Sequence, residues 1–360
     1  MQKSVNYNKK SNNKILYLEI IRIIAAVFVV FNHTDSLGYQ LYMEFSCDSW
    51  RFWVYMIPSI CCKVAVPLFF CISGALLLNR DESIKTIWKK RIFRIAIDLI
   101  VFSLAYAVFL SWKNGTEYNI IEYLHQMYSS QTYAFLWYLY AYIAFLISVP
   151  FLRVLVKNLS NKSFVYMIAI CMVVSFFQII VTIFGDDYAI NQDLIPVWST
   201  SWAMIYPCIG YYLHYRIDVT SIKRYLPTIW VTNLLSVVII AVLNFIIIKF
   251  DTNSQKQITS FVLVNCISIF LTARYLFENK TYNRFFEKTI IIVGNCTFGI
   301  YLLHVFALQN PLFLTIRRSL LRHLSPIPMI GIWIFVFFVV AICIVATYVL
   351  KKIPLVKRLF

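Results

Sequence analysis

Apolar residues in this chain gather into runs close to twenty long, separated by short polar and basic segments. The runs fall at 15–37, 57–79, 91–112, 134–156, 163–184, 199–215, 226–248, 257–277, 290–308 and 329–350. A helix of about 20 residues is about 30 Å long, the thickness of the hydrocarbon core of a bilayer, so each run predicts a transmembrane helix. The expected fold is all-α: a polytopic membrane bundle of about ten helices. The connections are mostly about ten to twenty residues, too short to hold a catalytic domain, and no Pro/Ser-rich linker or convincing internal repeat divides the chain. Residues 1–360 therefore read as one integral-membrane domain. The first run follows a basic segment but is too long and too charged for a signal-peptide core, and it lacks a small-residue cleavage site, so it is expected to be retained.

Composition agrees: 61% of the 360 residues are hydrophobic and 14% charged, with mean hydropathy +0.72, values of a multi-pass membrane protein. With an even number of spans both ends share a side. That side collects Lys9, Lys10 and Lys14, the Arg80 to Arg94 cluster, Arg153, Lys157, Lys162, Arg216, Lys223, Arg224, the Arg274 to Lys288 group and Lys351 to Arg358. The opposite loops hold Arg51, Lys113, Lys249, Lys256, Arg317, Arg318 and Arg322. By the positive-inside rule both termini are expected in the cytoplasm. The net charge of +17 then follows from topology and from attraction to anionic headgroups, and needs no nucleic acid. Of the nine cysteines only Cys47 lies in an outer loop; the others sit in or at the edges of apolar runs as small hydrophobes. No metal-ligand or haem spacing is present, nor a Walker loop, GxGxxG, GxSxG or HExxH.

Chemistry must then happen inside the bundle, and the charged residues within the apolar runs are the candidates. Arg22 and His33 are eleven positions apart in ILYLEIIRIIAAVFVVFNHTD, which brings them to within roughly 20° on one helical face and about 16 Å apart along it. Glu19, one turn before Arg22, is the expected partner that orients it. In KVAVPLFFCISGALLLNR, Pro67 and Gly74 predict a bent or closely approached helix and Ser73 can satisfy freed backbone groups. Lys63 reads either as a snorkelling interface lysine or as a cation facing a cavity. Arg91 and Arg94 share a face at the start of the third run; they serve topology alone or, as two guanidinium forks, hold phosphate. Asp98, inside that run, requires a partner such as Lys63 or Arg22, or a proton. Trp137, Tyr138 and Tyr140 either stack on sugar faces or pack as an aromatic belt. His125, His214 and His323 are read as solvated, and the outer run Arg317, Arg318, Arg322 as a possible contact for an acidic glycan or lipid phosphate.

The order LEIIRIIAAVFVVFNH, VAVPLFFCISGALL, RIFR, FLWYLYAYIAFLISVPFL and TFGIYLLHVF resembles the integral-membrane acyltransferase family, acyltransferase type 3, whose members O-acylate cell-surface carbohydrates. The resemblance implies that the family's Arg and His fall on Arg22 and His33, its RxxR pair on Arg91 and Arg94, and its LWYL stretch on Leu136 to Leu139. Members often carry an extra extracellular domain; this chain looks like a stand-alone member. Acyl-coenzyme A, acetyl-CoA above all, is the implied donor substrate, no bound cofactor or metal is expected, and the implied acceptor is a hydroxyl of a surface polysaccharide or lipid-linked glycan. Arg22 then holds an anionic or carbonyl part of the donor. His33 is either the base that deprotonates the hydroxyl or a nucleophile that carries the acyl group. His304, closing YLLH, is expected near the acceptor or behind the reacting groups. A bacterial plasma membrane is the expected location. A second class remains open from the residues alone: a flippase or exporter of a polysaccharide intermediate, or a secondary transporter, with Arg22, Lys63 and Asp98 on the substrate path.

Overall fold

The computed structural model describes residues 15–115, 119–185, 189–250, 261–278, 280–354 and 356–359. Lys9, Lys10, Lys14, Lys256 and the first residues of the expected 257–277 run lie outside them. The described residues form helices and connections, with no strand among them: α1 Leu16–Asn32, α2 Trp50–Cys62, α3 Ala65–Leu77, α4 Ile84–Asn114, α5 Ile120–Ser129, α6 Trp137–Asn158, α7 Asn161–Phe184, α8 Trp202–Tyr215, α9 Val219–Phe250, α10 Val262–Phe277, α11 Arg284–Leu308, α12 Pro311–His323 and α13 Pro328–Leu350. The protein is a multi-pass helical membrane bundle.

Among the described residues, seven helical segments are long and apolar enough to cross a bilayer: Trp50–Leu77, Ile84–Asn114, Ala134–Asn158, Asn161–Phe184, Val219–Lys249, Arg284–Leu308 and Pro328–Leu350. The other three expected spans fall on shorter helices, α1 with 17 residues, α8 with 14 and α10 with 16. At 1.5 Å per residue these cover roughly 21–26 Å. The expected helix at 15–37 stops at Asn32, because His33 leaves helical geometry and 35–44 coil into two 3₁₀ turns. The expected 57–79 run begins seven residues earlier, at Trp50, and is broken at Lys63–Val64 rather than only bent.

α1 is the hub. It packs against α2, α3, α10, α11 and α13, and a helix surrounded on all sides has no polar face to show, which explains its nearly unbroken apolar sequence. Ala25 and Ala26, both buried, leave room for its neighbours. The closest crossing joins α3 to α8. A Cβ on Gly74 would lie 1.9 Å from the Pro207 carbonyl oxygen, and one on Gly210 would lie 2.0 Å from the Cys71 carbonyl oxygen, so the two backbones touch where each helix carries glycine. Gly294 of α11 plays the same part toward α1, where a Cβ would meet the Glu19 carboxylate at 2.2 Å.

Candidate active site

On α1, Glu19 is buried and receives both contacts of Arg22, whose Nη1 is 2.9 Å from each carboxylate oxygen. That pairing one turn apart fixes the guanidinium against the wall of a cavity of about 350 Å³. α3 contributes Ser73, α4 contributes Lys90, Arg91 and Arg94, α6 contributes Tyr138 and Tyr142, and α11 contributes Asn295, Thr297 and Tyr301. α4 is wound as a π-helix over Ile87–Ile92. The wider turn sits where Lys90, Arg91 and Arg94 all reach the same wall, and π-turns recur at functional sites for this kind of local re-aiming. Four cations therefore line one pocket, and two carboxylates answer them.

The second carboxylate is Glu82, in the connection before α4. Arg91 donates to it with two prongs, Nε at 3.0 Å and Nη2 at 2.7 Å, while Arg153 Nη1 donates to the Glu82 carbonyl at 2.8 Å. The Arg91 hydrogen bond holds the Glu82 carboxyl below the usual glutamate value, against the opposing push of burial, and the charges of Arg91, Arg80 and Arg153 add to it. Arg94 makes no ion pair among the described residues, so it is the fork free to take a ligand. A lowered carboxylate stabilises the fold above its unfolded value, about 4.3, and ceases to as pH falls through the lower folded value. Glu82→Gln is accordingly expected to lower stability by about 1 kcal/mol at pH 7. The gap in melting temperature between it and the wild type should close below about pH 4; a gap that stayed constant would show that the carboxylate charge is irrelevant.

His33 caps the other end of α1. Its Nδ1 lies 2.8 Å from the Val29 carbonyl, which can only accept, so Nδ1 carries the proton and the neutral ring keeps a lone pair on Nε2. His304 on α11 is fully buried and anchored the same way, Nδ1 to the Tyr301 carbonyl at 2.7 Å, with its Nε2 unpartnered. The two ring centroids are 4.9 Å apart, and Phe135 sets its ring edgewise to both, at 6.1 Å and 5.0 Å. A second cavity, about 420 Å³, opens on His33 and is lined also by Asp35, Lys113, Tyr133, Phe135, Gln309, Leu314 and Arg317. The two cavities stand back to back. Tyr301 lines the arginine cavity, donates its hydroxyl to the Phe135 carbonyl at 2.8 Å and packs on Phe135 at 5.5 Å, and Phe135 lines the histidine cavity.

The acyltransferase domain model, acyltransferase type 3, matches residues 15–350. The chain belongs to the acyltransferase type 3 family. Curated proteins and solved structures give no match. This acyltransferase is thus a membrane enzyme that takes an acyl donor and an acceptor, and the carrier reading of its intramembrane charges gives way.

Of the residues singled out in the sequence, Arg22, Glu19, Ser73, Arg91, Arg94 and Tyr138 gather at the arginine cavity, and His33 and His304 at or behind the histidine cavity. Three stand apart. Lys63 lies with its ammonium 4.5 Å from the centre of the Tyr39 ring. Trp137 packs edgewise on Trp202 at 5.8 Å, outside both cavities. Asp98 is fully buried on α4 with neither carboxylate oxygen hydrogen-bonded, and pairs with neither Lys63 nor Arg22. His214, read as solvated, is buried in α8 and hydrogen-bonded to the Tyr17 hydroxyl, a contact between residues 197 positions apart. His125 and His323 are exposed. Sequence reasoning passed over Lys90, Asn295 and Tyr301 in one cavity and Asp35, Tyr133, Phe135 and Gln309 in the other. Asp35 had a local signal, an acid two positions after the helix-ending histidine; its positive φ of 55° is uncommon for a residue other than glycine.

Proposed function

We propose that this acyltransferase moves an acyl group, acetyl in the first instance, from cytoplasmic acyl-coenzyme A to a hydroxyl of a cell-surface polysaccharide or lipid-linked glycan at a bacterial plasma membrane. The observation that carries this reading is the pair of back-to-back cavities, one walled by four cations and the other opening on a histidine with a free lone pair. Guanidinium forks suit phosphate oxygens, so Arg91 and Arg94, with Lys90 beside them, are assigned to the phosphates of the donor. Arg91 would leave Glu82 to do so, while Arg94 is already available. Arg22, held by Glu19, faces the same cavity from the hub helix and is assigned to the thioester end.

At His33 the transfer balances in either of two ways. As a base, Nε2 takes the hydroxyl proton while the acceptor oxygen attacks the thioester carbon; the C–S bond breaks and the thiolate receives the proton. As a nucleophile, Nε2 first displaces the thiolate and holds the acyl group; the hydroxyl oxygen then attacks the acyl carbon, the C–N bond to Nε2 breaks, and the hydroxyl proton passes to the thiolate. Both need the unprotonated Nε2 that the Val29 carbonyl secures.

Sidedness tests the reading. Lysine and arginine bias places Arg91 and Arg94 on the cytoplasmic side and His33 toward the outside. Inverted membrane vesicles supplied with acetyl-labelled coenzyme A at their exposed face are expected to acylate glycan enclosed in the lumen, and right-side-out vesicles to fail unless loaded. In a cysteine-free background, single cysteines at Ser83 and Ser221 should resist an impermeant reagent in intact cells, and those at Ser49 and Asn191 should react. The inverse labelling pattern, or acylation only with external donor, would remove the inside-to-outside transfer.

A further inference from the structure

The positive-inside rule leaves one anomaly on the proposed outer side: α12 carries Arg317, Arg318 and Arg322. Two of the three have ordinary surroundings, since Arg318 and Arg322 are exposed. Arg317 is different. It is half-buried, its guanidinium carbon stands 5.8 Å from the centre of the Phe335 ring, and it forms part of the wall of the histidine cavity. Its Nε is buried without a hydrogen-bond partner. A guanidinium donor removed from water and left unmatched is costly, a cost that a ligand oxygen would cancel. Burial pulls this guanidinium below its ordinary value and the charge of Asp35 pulls it back, yet no carboxylate among the described residues forms an ion pair with it.

Lys113 gives the same wall a second cation. It comes from the far end of α4, donates to Gln309 Oε1 at 2.9 Å and is likewise unpaired with any carboxylate among the described residues. Beside four aliphatic side chains, the rest of the lining holds the rings of Tyr133 and Phe135, the Gln309 amide, engaged by Lys113 and Tyr133, and the Asp35 carboxylate, which can accept from sugar hydroxyls. At about 420 Å³ the cavity falls within the roughly 300–1,000 Å³ of small-ligand sites.

We propose that the histidine cavity takes an acceptor saccharide bearing an anionic group, a carboxylate or a phosphate, seated against Arg317 and Lys113 while a neighbouring hydroxyl reaches His33. This rests on the reading of the histidine cavity as the acceptor side and adds the charge class of the acceptor. Carboxylate on the glycan and pyrophosphate on a lipid carrier present the same oxygens to the fork, and the experiment separates them.

The protein reconstituted in nanodiscs is titrated, by calorimetry, with a uronic-acid oligosaccharide, with its carboxyl-reduced neutral counterpart, and with inorganic pyrophosphate. Wild type, Arg317→Gln, Arg317→Lys and the surface control Arg318→Gln are compared, each checked for folding by its melting temperature. Arg317→Gln is expected to weaken at least one anionic probe tenfold or more while leaving the neutral probe unchanged; Arg317→Lys should fall between, and Arg318→Gln should match wild type. A loss for the uronic oligosaccharide assigns the charge to the glycan, and a loss for pyrophosphate alone assigns it to the carrier. Equal binding of acidic and neutral oligosaccharides with no effect of Arg317→Gln on pyrophosphate would overturn the proposal. So would equal losses in the two glutamine variants, or a loss that ignores probe charge, which would make Arg317 a structural counter-ion for Asp35. Failure of the acyl-transfer reading is separately visible: labelled acyl-coenzyme A would then go unconsumed whatever the binding preference.

Discussion

His33→Ala is expected to abolish acyl transfer, by at least about 10²-fold, while the protein remains inserted and folded. The side chain makes one hydrogen bond, to the Val29 carbonyl in its own helix, so its removal costs the fold about 1 kcal/mol. It takes away the lone pair at the mouth of the histidine cavity, and in both routes to transfer that lone pair either accepts the hydroxyl proton or holds the acyl carbon. His304 is no substitute: it sits 4.9 Å away, centroid to centroid, but is buried behind Phe135 rather than lining the cavity. The measurement is labelled acetyl incorporated into glycan, normalised to membrane abundance. Turnover close to wild type would end the assignment of His33.

The largest effect on the fold is expected from Gly74→Ala. The added methyl would stand 1.9 Å from the Pro207 carbonyl oxygen, and because that neighbour is backbone the clash is relieved only by separating α3 from α8. Overpacking against side chains costs roughly 1–3 kcal/mol, and a clash between two backbones should exceed that range. Little folded protein should be recovered in detergent, and what is recovered should melt well below wild type. Gly331→Ala is the contrast, since its methyl would find no atom nearer than 3.4 Å; it should shift stability by less than about 0.5 kcal/mol. If both variants melted together near wild type, the α3–α8 crossing would not be the close contact described.

Much of the site was legible because helical spacing is a short-range rule. Arg22, Glu19 and His33 stand on one element, and the angle and rise between them depend on nothing else. Arg91 and Arg94 follow the same rule, although the π-turn that also brings Lys90 to the wall is invisible in spacing. Tyr138 and Trp137 mark where the rule gives out: consecutive residues diverge by about 100°, and only packing decides which of them faces inward. Phe135, Tyr301 and Asp35 reach the site through tertiary placement, from a 3₁₀ turn before α6, from α11 and from the turn after α1, and no single run of sequence contains that arrangement. His214 was misread for the same reason, its partner Tyr17 lying on another helix. The helical bundle was legible from apolar runs alone; the lengths of α1, α8 and α10 were not, since a helix enclosed by protein has no bilayer thickness to match.

The Tyr301 and Phe135 rings that separate the two cavities bear on the electrical integrity of the membrane. An elementary charge crossing a bilayer moves through about 2.3 kcal/mol per 100 mV, so an open aqueous duct lined by four cations at one end would be a leak for anions. In the proposed transfer the acyl group handed past this aromatic layer is uncharged, so only the hydroxyl proton, on its way to the thiolate, would sense the voltage. On the proposed reading, an aromatic plug of this kind lets an acyl group be passed on without opening a path for anions.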